Sequence, residues 1–128
     1  MVELLGPLVL VGIVANLLTG IGCMFLLLPG IYLAVGFTFD PDRALVRVIT
    51  WAGSRKARNV AAAPGSPAAV CQVDGGRWLT LEGRATVTAE RDPVDEAVRR
   101  YAERYRDPKQ RDDRVVIEIA VDRVLGRG

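Results

Sequence analysis

The chain has 128 residues, a formal charge of +2 and no histidine. One domain of this length buries a core without staples, and so small a charge, with acidic and basic residues interleaved, leaves no footprint for nucleic acid. The lack of histidine excludes imidazole acid–base catalysis, Ser-His and Cys-His nucleophile pairs and the commonest zinc ligand sets.

In chain order, the first feature is an apolar block. Apart from Glu3, residues 1–39 carry no charge, so residues 40–128 hold all the other charged side chains. Leu8 to Leu28 reads LVLVGIVANLLTGIGCMFLLL, with Asn16 and Thr19 its only polar interruptions and Pro7 and Pro29 at its ends. That length predicts a helix over residues 8–28 able to span a bilayer, with a buried helix of a soluble core as the alternative. Arg43 and Arg47 beyond it would hold the following domain in the cytoplasm. A signal peptide is a poor fit, because Met1-Val2-Glu3 offers no basic start.

Past Asp40 the pattern is that of a small β protein. Tyr32 to Phe39 and Ala44 to Thr50 flank "DPDR", an Asp/Pro turn signal, and predict a hairpin. Ala68 to Val73 predicts a short buried strand, and Trp78 to Glu90 a long one in which Gly83 marks a bulge or a barrel bend. Arg114 to Val121 alternates, with Val115, Ile117, Ile119 and Val121 on one face. Between the last two, Asp92 as cap and Pro93 as first helical residue open a helix ending before Asp107-Pro108. Its apolar stripe runs through Val94, Ala97, Val98, Tyr101, Ala102 and Tyr105. Several strands and one packed helix predict a small barrel. The two cysteines, Cys23 and Cys71, form no C-x-x-C motif. They predict buried apolar packing in a reducing compartment, with no metal site.

The candidate site is "TWAGSRKARN", Thr50 to Asn59. Ser54 is a suitable cap for a short helix over residues 55–62. A helix start offers unpaired N–H groups and the positive end of a dipole, and Arg55, Lys56 and Arg58 add charge for a phosphate. A solvated helix face accounts for the same arginines. No Walker loop or dinucleotide fingerprint is present.

Three stretches, "VGFTFDPDRALVRVITWAGSRKARN", "CQVDGGRWLTLEGRATV" and "RYAERYRDPKQRDDRVVIEIAVDRVLG", resemble the deazaflavin-dependent branch of the pyridoxamine 5′-phosphate oxidase-like family. Within it the likeness is to the small F420-dependent, biliverdin reductase-like proteins, over residues 34–126. The resemblance implies a mainly β fold with helices, a split β-barrel, usually a cytoplasmic homodimer with its cofactor in grooves between subunits. It implies coenzyme F420, with FMN as the alternative, and hydride transfer to a conjugated small molecule. The family's S-x-K-x-x-N segment falls on Ser54, Lys56 and Asn59, which would hold the phosphate-bearing tail, with Thr50 at the strand end. Arg55 and Arg58 would assist an anionic tail, and Gln72, Arg77 and Trp78 would border the groove. No catalytic residue is assigned. A non-catalytic flavin or deazaflavin carrier and a membrane-tethered interaction domain are the alternative functions.

Residues 1–33 depart from the family, which opens with an amphipathic helix and a first strand. The chain therefore divides into an apolar, helical segment, 1–33, and a barrel domain, 34–128. Two origins fit the segment: an altered reading frame or a fused membrane anchor. The altered frame is preferred, because an anchor should add to the barrel instead of replacing its first strand. Loss of that strand would bare a sheet edge and one wall of the groove.

Overall fold

The computed structural model describes residues 23–28, 31–74 and 76–127. Among these described residues, seven strands and two helices follow one another: β1 (Cys23–Leu28), β2 (Ile31–Ala34), β3 (Thr38–Asp40), β4 (Leu45–Trp51), α1 (Arg55–Ala62), β5 (Ser66–Asp74), β6 (Arg77–Thr88), α2 (Arg91–Arg104) and β7 (Arg114–Arg127). They form one sheet in the order β2-β1-β5-β6-β7-β4-β3, antiparallel at every pairing.

Chain connectivity forces that sheet to curl. β2 and β3 are its opposite edges, yet only residues 35–37 join them. Six spacings of about 4.8 Å would part the edges of a flat sheet by about 29 Å. Four Cα steps cover at most about 15 Å. The edges must come round toward each other, which makes the sheet a barrel.

Alternation then assigns the two faces. Val46 and Val48 of β4 join Ile117 and Ile119 of β7, Val70, Leu81, Ala85 and Phe37 in the core, with Val60 of α1 packed among them. The intervening β4 residues, Arg47, Ile49 and Trp51, point the other way. Arg47 is buried there at 4% exposure, and its Nη1 donates to Asp40 Oδ2 at 3.3 Å, where Arg100 of α2 also arrives at 3.2 Å. Asp40 thus binds β3, β4 and α2 together, and its other oxygen caps the turn through Asp42 N and Arg43 N. Arg47 belongs to the fold, so its expected part in setting membrane orientation is set aside.

Most elements lie where the sequence predicts them, with instructive differences. The hairpin across "DPDR" is β3–β4, but the expected strand Tyr32 to Phe39 is two strands, because the chain changes sheet edges at residues 35–37. β5 and β7 are longer than periodicity suggests, since pairing continues past the alternating residues, while β6 ends at Thr88, before the expected Glu90. Gly83 does sit at a register shift, and a Cβ there would lie 1.9 Å from the Ala120 carbonyl oxygen, so no side chain fits. Helix α2 starts at Arg91 with Glu90 as N-cap and no side-chain capping bond. Asp92 lies inside its first turn, where it complements the dipole instead of capping.

The largest correction concerns the apolar block. Cys23 to Leu28, the end of the expected membrane span, is a strand that pairs with both β2 and β5. The edge of β5 is therefore covered, and the boundary expected after residue 33 falls inside β2. Among the described residues no helix is long and apolar enough to cross a membrane. Residues 8–22 of the expected span lie outside the described part.

Candidate functional site

The end of β4 builds the site. Trp51 pairs with Arg114 on β7, and the next residues turn the chain into α1, with Ser54 N donating to the Trp51 carbonyl at 3.0 Å. Ser54 takes the extended cap conformation and its Oγ accepts from Ala57 N at 3.2 Å. Thr50 Oγ1 donates to the same oxygen at 3.0 Å. Both residues are almost fully buried, so their hydroxyls fix the start of α1 and the N–H groups of Arg55 and Lys56 are left without intrahelical acceptors.

Beside this helix start lies a cleft of about 520 Å³. It is lined by Val35, Gly36, Ile49, Trp51, Lys56, Tyr101, residues 106–109, Arg111 and Arg114. Among the described residues its charge is one-sided: Lys56, Arg106, Lys109, Arg111 and Arg114 against Asp107. Trp51 stays 40% exposed at the rim, with Lys56 Nζ 5.4 Å and the Arg111 guanidinium 4.9 Å from its ring centroid. Arg111 is held by Asp113 through bonds of 2.8 and 3.1 Å. Lys56 makes no ion pair among the described residues, and partial burial lowers its pKa. An anion beside it would relieve that cost.

The expected residues divide into three groups. Lys56 alone lines the cleft. Thr50 and Ser54 shape the turn beneath it, while Arg55, Arg58 and Asn59 are exposed along α1. Gln72 is engaged elsewhere, its Oε1 accepting from Arg104 Nη2 at 3.0 Å. Arg77 and Trp78 open β6, where Trp78 pairs with Arg127, at the end of β7 remote from Arg114. The structure does not bring them to the Lys56 cleft within one chain.

Sequence reasoning missed Trp51 and the loop of residues 106–111. Trp51 was legible as an aromatic residue ending an alternating strand on the face opposite Val48. The loop's contribution depends on the fold that swings it across β4. Tyr101, expected to be structural, lines the cleft while also packing near Gly36. Cys71 is buried against Thr80 Oγ1 at 3.1 Å, and burial raises its pKa, so it behaves as core. No cluster of potential metal ligands occurs among the described residues.

A curled antiparallel sheet with a capped short helix at a basic cleft defines a split β-barrel protein. Residues 31–128 match the pyridoxamine 5′-phosphate oxidase family (PNPOx_N). The chain belongs to that family. Over 93 residues it is 55% identical to the F420H(2)-dependent biliverdin reductase of Mycobacterium tuberculosis, which covers 73% of this chain and 66% of that protein. Among solved structures, an F420 reductase superposes with a TM-score of 0.60 at 22% identity, over 81% of this chain and 87% of the other. A pyridoxamine 5′-phosphate oxidase-related, FMN binding protein of Nostoc punctiforme gives 0.54 at 14% identity, over 80% and 71%. These two likenesses bear on the fold.

Proposed function

We propose that the chain is an oxidoreductase that binds reduced coenzyme F420, with FMN as the alternative, and reduces a conjugated small molecule. The observation that carries this reading is Lys56: a partly buried ammonium with no carboxylate partner among the described residues, at the start of α1 in a basic cleft. A phosphate supplies the missing counter-charge, and the N–H groups of Arg55 and Lys56 supply donors. The 55% identity to an F420H(2)-dependent reductase supports the deazaflavin, and the FMN-binding relative supports the alternative.

In this reading the cofactor supplies the hydride. Lys56 holds the phosphate, and Asn59, one turn on, adds a donor on the same side of α1. Thr50 and Ser54 keep that helix start in place, while Arg55 and Arg58 attract an anionic tail from outside. Val35, Ile49 and Tyr101 form the apolar wall that orients a flat ring and excludes water. Trp78, Arg77 and Gln72 are assigned to the same groove across a homodimer, since one chain places the β6 start far along β7 from the cleft. The cytoplasm suits a protein whose cysteines form no paired motif.

Titration of the protein with F420 and with FMN, followed by Trp51 and cofactor fluorescence, tests the reading. Saturable binding of either supports it, and F420 is expected to bind more tightly. Binding of neither overturns it.

A further inference from the structure

Trp51 joins two parts of the site that come from distant stretches of chain, the start of α1 and the loop before β7. Its indole is 40% exposed at the cleft rim, yet the ring is well supported. One edge lies beside Gly53, where a Cβ would come 3.7 Å from Trp51 Cδ1. The Arg111 guanidinium stands 4.9 Å from the ring centroid, and Arg111 is itself held by two bonds to Asp113. Asp113 is anchored in turn, its carbonyl accepting from Ala52 N at 2.9 Å. The indole is therefore braced by groups that do not depend on Lys56.

Lys56 stands in the opposite position. Its ammonium lies 5.4 Å from the same ring centroid, and it makes no ion pair among the described residues. A lysine side chain gives up much rotamer freedom when it is ordered, so an unsupported ammonium would not wait at the helix start for an anion. The electron-rich ring face supplies that support and leaves the three ammonium donors available.

We propose that Trp51 is a positioning residue, whose ring holds the Lys56 ammonium at the start of α1 for the cofactor's phosphate. This rests on the reading above that Lys56 takes the phosphate, and it adds a residue that acts through Lys56 instead of through the ligand. The rival role for an aromatic residue at a cleft rim is stacking on the flat ring of the cofactor. The two roles predict different losses. A stacking residue serves every ligand that carries the ring, whereas a residue acting through Lys56 serves only ligands that carry the phosphate.

The test uses the full chain as wild type, Trp51→Leu, Trp51→Phe, Lys56→Ala and the double variant Trp51→Leu/Lys56→Ala. Trp51→Met, which keeps apolar bulk at the rim, stands in if Trp51→Leu does not fold. Binding is followed by ligand fluorescence for FMN against riboflavin, and for F420 against its ring and ribityl core without phosphate or tail. Trp51→Leu is expected to weaken FMN and F420 binding roughly three- to tenfold, with riboflavin and the deazaflavin core changed less than twofold. Trp51→Phe should recover most of the loss. The double variant should bind no more weakly than Lys56→Ala alone, because the ring acts only through that lysine. An equal loss for the phosphate-free ligands overturns the proposal, as do losses that add in the double variant. A loss in Lys56→Ala with none in Trp51→Leu overturns it alone. Lys56→Ala that binds FMN and F420 as wild type does would instead sink the phosphate reading beneath it.

Discussion

Arg104 donates from Nη1 to the carbonyl oxygen of Phe37 at 2.7 Å, and the hydroxyl of Tyr105 donates to the same oxygen at 2.9 Å. That carbonyl lies in the link between β2 and β3, where the two sheet edges come round without pairing to each other. The Arg104 guanidinium also stacks over the rings of Phe37 and Tyr105 at 5.2 and 5.1 Å. The end of α2 therefore fastens the seam of the barrel and, through Val35 and Gly36, one wall of the cleft.

Removing that fastening should destabilise the fold measurably. Arg104→Ala loses charge-assisted bonds to the Phe37 carbonyl and to Gln72 Oε1 together with its stacking, about 1–3 kcal/mol. Tyr105→Phe loses one neutral bond, about 1 kcal/mol. Urea midpoints should fall in that order with the slope unchanged. Midpoints equal to wild type would show that the seam holds without them.

The helix start offers a separable test. Ser54→Ala removes the cap that takes Ala57 N and the partner of Thr50 Oγ1, and should cost about 1–2 kcal/mol. Thr50→Val keeps the cap and should cost less. If Thr50→Val proves the more damaging, the cap is not what holds this turn.

Thr38 carries the opposite expectation. Among the described residues its buried Oγ1 has no hydrogen-bond partner, so none of them compensates the hydroxyl for the water it loses on folding. Thr38→Val keeps the branched shape suited to a strand and should stabilise by up to about 1 kcal/mol. A fall in the urea midpoint would reveal a hydrogen bond to this hydroxyl.

Acid should weaken the attachment of α2. Hydrogen bonds from Arg99 and Arg100 hold Glu96 down to about 2. Burial pushes Asp40 up, but the bond from Arg47, the charge of Arg100 and the turn amide outweigh it and leave its pKa lowered. Both folded values lie below the ordinary ones, so this stability is complete above the unfolded pKa values and is lost as pH falls through the folded ones. Urea midpoints should therefore decline from about pH 5 toward pH 2. The Glu96 part should shrink in salt, because Arg99 is exposed and Arg100 only partly buried. A midpoint that stays flat across this range would remove these pairs from the account of stability.

Much of this architecture was legible. "DPDR" announced its hairpin because Asp40 carries both the turn amides and the Arg47 pair. Gly83 announced its bulge because the opposing backbone leaves no room for a Cβ, and Ser54 announced α1 through capping chemistry. The apolar block misled. An uninterrupted hydrophobic run reads alike as a membrane helix or as buried strands, and Cys23–Leu28 is a strand because β5 offers it an edge. The cleft was legible only at Lys56. Arg111 and Trp51 lie 60 residues apart in sequence and meet because β7 pairs with β4, a long-range fact that no local pattern carries.

The central claim is that Lys56 holds the anionic group of the cofactor. Its most direct test is a titration of Lys56→Ala and Lys56→Arg with F420 and FMN, beside thermal unfolding of the free proteins. Among the described residues the Lys56 ammonium rests on the Trp51 ring and makes no ion pair, so Lys56→Ala should unfold at nearly the wild-type temperature. Its affinity for the cofactor should fall at least tenfold and lose part of its salt dependence, with Lys56→Arg recovering most of it. A folded Lys56→Ala protein that binds F420 and FMN as tightly as wild type would contradict the account.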